Sequence, residues 1–116
     1  MNKSKINIKI SKQKLSQLRD FQTSFIEELA KSKNTQKLYL QTALEDYEKD
    51  KDLAAFLLAL RTIAIAKGGI SILAQKTKLN RQSIYKALSA NGNPTFSTLD
   101  LILNSLGLSF VIRATA

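Results

Sequence analysis

Arg81, Gln82, Ser83, Tyr85 and Lys86 follow Asn80 in a run interrupted only by Ile84, with Ala87, Leu88 and Ser89 beyond it. Arginine can clamp the two acceptors on the exposed edge of guanine, and glutamine can satisfy both groups on the edge of adenine. Arg81 and Gln82 are therefore a pair suited to reading bases, and Lys86, one helical turn on, suits a base or a phosphate. Other chemistries are closed. The chain has no cysteine and no histidine, which removes disulfides, thiolate metal sites, nearly all zinc sites and the common nucleophile–base pairs. Only carboxylate or lysine chemistry would remain to an enzyme, so no enzymatic activity and no cofactor are expected.

The charge pattern agrees with a polyanionic partner. The net charge is +9, and each lysine or arginine placed on a phosphate releases condensed counterions. All the acids are Asp20, Glu27, Glu28, Glu45, Asp46, Glu48, Asp50, Asp52 and Asp100, so Leu53 to Leu99 holds none, while Arg61, Lys67, Lys76, Lys78, Arg81 and Lys86 lie within it. Polar residues along one side of a helix are by default a solvated face. The acid-free stretch, the net charge and the register described next favour a reading face instead.

To enter a major groove such a face needs two short helices crossing steeply, the second in the groove and the first holding it. The spacing predicts them over Ile70–Thr77 and Arg81–Ser89, separated by Lys78, Leu79 and Asn80, with Asn80 as N-cap of the second. Ala74 is the small residue where the helices approach and Leu79 the apolar residue of the turn. Ile84 and then Ala87 or Leu88 point into the core. Asn80, Arg81, Gln82, Tyr85, Lys86 and Ser89 are left facing outward.

The remaining elements follow from periodicity. A chain of 116 residues with 44% hydrophobic residues, four glycines and one proline fits one compact all-α domain with a small extension and has too few breakers for a sandwich or barrel. Leu15, Leu18, Phe21, Phe25, Ile26 and Leu29 recur at helical steps after Ser11, a candidate N-cap. The two phenylalanines suit core packing better than base stacking, and with Tyr39 they are equally candidates for a partner surface. The pattern breaks around Asn34 and restarts at Thr35 through Leu38, Tyr39, Ala43, Leu44 and Tyr47, giving way to a turn or helix end in the charged stretch Glu45–Asp52. Leu53–Lys67 is apolar on nearly every side, as expected of a central helix, and Gly68 and Gly69 stop it. Asn91–Pro94 is a loop; Ser97 is placed to cap a last helix that Gly107 ends. Alternation in Lys5–Ile10 and the composition of Leu108–Arg113 allow short terminal strands. The expected division is a basic N-terminal extension over residues 1–33 and a DNA-binding domain over 34–116. The N-terminus lacks an apolar signal region and the run Leu53–Leu60 is too short to span a bilayer, so a cytoplasmic chain without a membrane partner is expected.

On LAQKTKLNRQSIYKALS and NPTFSTLDLILNSLGL, the stretch Ile70–Leu106 resembles the lambda-repressor-like (Cro/CI) helix-turn-helix fold. More narrowly, Leu38–Val111 resembles the addiction-module antidote proteins, the HigA-type antitoxins, through the ALEDYEKD stretch, a helix like LLALRTIAIAKG, the segment YKALSANGNPTFSTL and a late LGL. The resemblance implies a homodimeric repressor on a double-stranded, inverted-repeat operator, acting as the antitoxin of a type II module against a RelE/HigB-type toxin. In that frame Arg81, Gln82 and Lys86 read bases, Asn80, Ser83 and Tyr85 support them, and Lys76, Lys78, Asn91 and Asn93 hold the backbone. Two departures stand out: Lys78 occupies a turn position that the motif usually gives to glycine, and Ser71 with Ile72 stand where the fold often has a phosphate-touching glutamine, a contact Ser71 could partly replace. A phage-type or host regulator without a toxin partner is the alternative. In a third reading, a pure interaction protein, the basic N-terminal helix binds an acidic partner or a membrane surface.

Overall fold

The computed structural model describes residues 11–115, and among them the chain is all-α. Six helices follow one another: α1 (Lys12–Lys31), α2 (Lys33–Asp50), α3 (Leu53–Ala66), α4 (Ile70–Thr77), α5 (Arg81–Ala87) and α6 (Phe96–Ser105). No single one of them is long and apolar enough to cross a membrane.

Short polar side chains set most of the starts. Ser11 Oγ accepts the Lys14 N–H at 3.1 Å, Ser32 Oγ that of Thr35 at 3.2 Å, and Asp52 Oδ1 that of Ala55 at 3.2 Å, each such cap being worth about 1 kcal/mol. Because Ser32 joins a capping hydroxyl to an extended backbone, the break expected at Asn34 falls there and α2 starts at Lys33. The helix then runs through most of the charged stretch and stops at Lys51, whose left-handed backbone (φ 58) brings its N–H onto the Tyr47 carbonyl at 2.7 Å. Thr95, not Ser97, caps α6. Thr95 holds the extended backbone a cap requires and accepts the Thr98 N–H at 3.2 Å, whereas Ser97 already lies in the first turn, its hydroxyl 3.1 Å from that of Thr95. Gly68 and Gly69 take φ of 117 and 94, a region only glycine enters freely, and set α4 at 94° to α3.

The core is organised on α3, which buries Phe56, Leu57, Ala59, Leu60, Ile63 and Ala64. Leu29 from α1, Leu40 from α2, Ile70 and Leu73 from α4, Ile84 and Leu88 from α5 and its end, and Ile102, Leu103 and Leu106 from α6 complete one cluster. At about 1.5–3 kcal/mol for each large side chain removed from water, this cluster dominates the favourable side of folding.

Two expectations do not survive. The face of α1 drawn by Leu15, Leu18, Phe21, Phe25, Ile26 and Leu29 is helical as read, yet only Leu29 is buried, Ile26 is half-buried and Phe21 is 74% exposed. Only the last turns of α1 lie against α2 and α3, and no described element covers the earlier ones. Phe25 meets the edge of Tyr39, with centroids 5.3 Å apart, instead of entering the core. The segment Leu108–Arg113 is not a strand. Leu108 spends its N–H on the Leu103 carbonyl at 3.0 Å, closing α6, and no second extended segment among the described residues is there to pair with it. The strand expected over Lys5–Ile10 lies outside the described residues.

Candidate nucleic-acid interface

The turn from α4 into α5 is built from its own residues. Lys78 takes the left-handed conformation (φ 64) that the motif usually assigns to glycine, and its N–H bonds the Ala74 carbonyl at 3.0 Å. A lysine there carries a strain of about 1 kcal/mol or more. Thr77 offsets part of it: buried, it donates its hydroxyl to the Leu73 carbonyl at 2.8 Å and accepts the Leu79 N–H at 3.3 Å. Leu79 packs against the core from the turn. Asn80 then starts α5, its Oδ1 accepting the Ser83 N–H at 2.7 Å.

With Ile84 and Leu88 fully buried, the opposite side of α5 is fixed in register. Arg81, Gln82, Ser83, Tyr85 and Lys86 are all exposed on it, as is Asn80 at its start. Ser89, expected to face outward with them, is half-buried and donates its hydroxyl to the Lys86 carbonyl at 2.9 Å, so it closes the helix instead. Lys76 and Lys78 are exposed at the end of α4. Ser71 is exposed at the other end of that helix, about 10 Å away along the axis at 1.5 Å per residue. There Gly69 offers no side-chain cap, leaving first-turn N–H groups of the kind that suit an anion. Asn91 and Asn93 are exposed in the loop after α5. The one ion pair among the described residues, Lys31–Glu28, lies elsewhere, so none of these cations is neutralised by a carboxylate.

The family model described as probable addiction module antidote protein matches residues 18–114. This chain belongs to that family. An uncharacterized protein of Haemophilus influenzae is 35% identical over 97 residues, which is 84% of this chain and 92% of the relative. No solved structure matches. The family's description as an antidote implies a toxin as partner.

Within the matched stretch three residues take structural roles that spacing alone does not assign to them. Thr77 is the first, as the polar hub of the turn. Gly92 is the second: it lies so close to the Lys86 and Ala87 carbonyls that a Cβ would overlap them, and its N–H bonds the Ser89 carbonyl at 2.9 Å, which brings Asn91 and Asn93 to the end of α5. Its place in the Asn-Gly-Asn loop was the available signal. The third, Arg61 on α3, lies over the Tyr85 ring, 5.5 Å from the centroid. Twenty-four positions apart, the two share no local pattern that would have paired them.

Proposed function

We propose that the chain is a sequence-specific DNA-binding repressor and the antitoxin of a type II toxin–antitoxin module, with α4 and α5 acting as a lambda-repressor-like helix-turn-helix. The outward face of α5 carries this reading: Arg81, Gln82, Tyr85 and Lys86 stand exposed on a helix whose other side is locked into the core, in a stretch with no carboxylate to compete with phosphate. Arg81 and Gln82, nearest the N-terminus, enter the groove deepest and read bases, with Lys86 one turn behind. Asn80, Ser83 and Tyr85 support them. Ser71, Lys76, Lys78, Asn91 and Asn93 hold phosphates and set the register of the protein on the duplex.

One such unit touches too few base pairs for tight binding, so the reading requires a homodimer on an inverted repeat. Val111 and Ile112, 85% and 97% exposed in the segment after α6 and followed directly by Arg113, are the residues assigned to that contact. The toxin then needs a surface away from α5. Residues 11–50 supply it, with Leu15, Leu18 and Phe21 exposed on α1 and the Phe25–Tyr39 pair beside them; by resemblance the toxin is of the RelE/HigB type. Residues 1–33 are in this view an extension to a DNA-binding domain over 34–116.

The test is to co-express the neighbouring gene with the full chain and with Phe21→Ser, while a duplex from the chain's own upstream region is titrated in a gel-shift assay. Growth arrest by the neighbour, relieved by the full chain and not by Phe21→Ser, together with a shifted duplex, is the expected result. A harmless neighbour would end the antitoxin assignment and leave a regulator without a toxin partner. An unshifted duplex would end the repressor assignment.

A further inference from the structure

We infer that Arg61 is a positioning residue for α5, acting through Tyr85; this rests on the DNA-reading function proposed above. Arg61 is the only charged residue of α3. It is half-buried and holds its guanidinium carbon 5.5 Å from the centroid of the Tyr85 ring, within the roughly 6 Å at which a cation is attracted to a ring face. Arg61 has no carboxylate partner among the described residues, where the one ion pair is Lys31–Glu28, and the Tyr85 ring is the group its guanidinium meets.

α5 needs such a tether. It has seven residues and buries only Ile84 of its own, too short a helix to be stable or well oriented by itself. Ile84 and Leu88 hold its inner side. The Arg61–Tyr85 contact holds a residue of its outer side, and does so from the central helix. Tyr85 stands four residues after Arg81 and three after Gln82, the spacings that make side chains neighbours on one helix face. Fixing the ring therefore fixes the wall against which the two base-reading side chains are arranged. Arginine is suited to the task because its guanidinium is planar, weakly hydrated and permanently charged, so it can stack while lying at the rim of the face; lysine keeps the charge and loses the stack.

The experiment uses the full chain and its Arg61→Lys, Arg61→Ala, Tyr85→Phe and Tyr85→Leu variants. NMR should show the Arg61 side-chain protons shifted upfield by the ring current, a shift kept in Tyr85→Phe and lost in Tyr85→Leu. Fluorescence anisotropy is then followed over a range of salt, with a duplex from the chain's own upstream region and a scrambled duplex of equal length. Arg61→Lys should lower the preference for the upstream duplex roughly 3- to 10-fold, the scale of one cation–π contact, while leaving scrambled-duplex affinity and the salt slope unchanged. Arg61→Ala should add nothing to the loss of preference already caused by Tyr85→Leu. An unshifted Arg61 resonance, an Arg61→Lys variant with the parent's preference, or one that weakens both duplexes alike would each overturn the inference. A parent that shows no preference between the duplexes removes the DNA-reading function, and the inference with it; the ring-current shift tells that failure from a failure of the contact itself.

Discussion

Gln36 donates its side-chain amide to the main-chain carbonyl of Leu29 at 3.0 Å, tying the last turns of α1 to the first of α2 below the surface. Helix ends leave their final carbonyls without partners, and this one is satisfied by a residue only 2% exposed. The other oxygen of the same side chain, Oε1, is buried without a hydrogen bond.

Replacing Gln36 should therefore separate the two halves of its amide. Gln36→Ala removes the donor and leaves a void, and should cost about 2–3 kcal/mol in urea unfolding. Gln36→Met, which fills the space and removes the unpaired oxygen along with the donor, should cost about half as much. Gln36→Glu should be the worst of the three at pH 7, because it faces a buried carboxylate with a carbonyl. Burial raises the folded-state pKa of that glutamate above its unfolded value of about 4.3, so its penalty should shrink as pH falls towards about 4.

Gly92→Ala tests the close approach of the Asn91–Pro94 loop to α5. A methyl group there overlaps backbone oxygens, which cannot swing aside as a side chain can. A loss of about 1–3 kcal/mol in thermal unfolding is expected, as for other overpacked sites. Exposed Asn91→Ala, next to it, should leave the unfolding midpoint near that of the parent.

Arg81→Ala and Gln82→Ala should each cost about 1–3 kcal/mol in binding to a duplex from the upstream region and should relax its sequence preference. Lys76→Ala should weaken every duplex alike and reduce the salt slope by about one phosphate. Competition titrations at several salt concentrations distinguish the two behaviours; operator binding undiminished in Arg81→Ala would mean that α5 presents a different face.

Sedimentation velocity at tens of micromolar should show a dimer that Val111→Asp combined with Ile112→Asp converts to monomer. Both residues lie outside the core, so circular dichroism should be unchanged. A parent that stays monomeric, free and on DNA, would remove the tail from the assembly.

What could be read beforehand was mostly local. Ile84, Leu88 and Leu79 fell where spacing placed them, because a seven-residue helix following a polar cap leaves one register that buries its apolar residues. Asn80 and Ser11 were legible as caps for the same reason. Thr95 and Ser97 both offer hydroxyls near the start of α6, and backbone geometry, which periodicity does not carry, decided between them. On α1 the spacing defined a face correctly but could not say what would lie against it; that depends on where α2 and α3 end up in space. Arg61 with Tyr85, and Gln36 with Leu29, are pairings made by the packed structure, and neither residue type announces such a partner.

The acids from Glu45 to Asp52 gather at the start of α3, and the acid-free stretch begins there and continues past its far end, about 21 Å away at 1.5 Å per residue. Charge is thus divided along α3 in a chain that is also a net cation. On the DNA-reading function proposed above, the field of a duplex exerts a torque on the chain before any contact and turns its acid-free end forward. A larger share of encounters then begins in the productive orientation, so association is faster than net charge alone would make it, and more sensitive to ionic strength. The negative end is left pointing into solution, the side that a second macromolecule meets when the first is already bound.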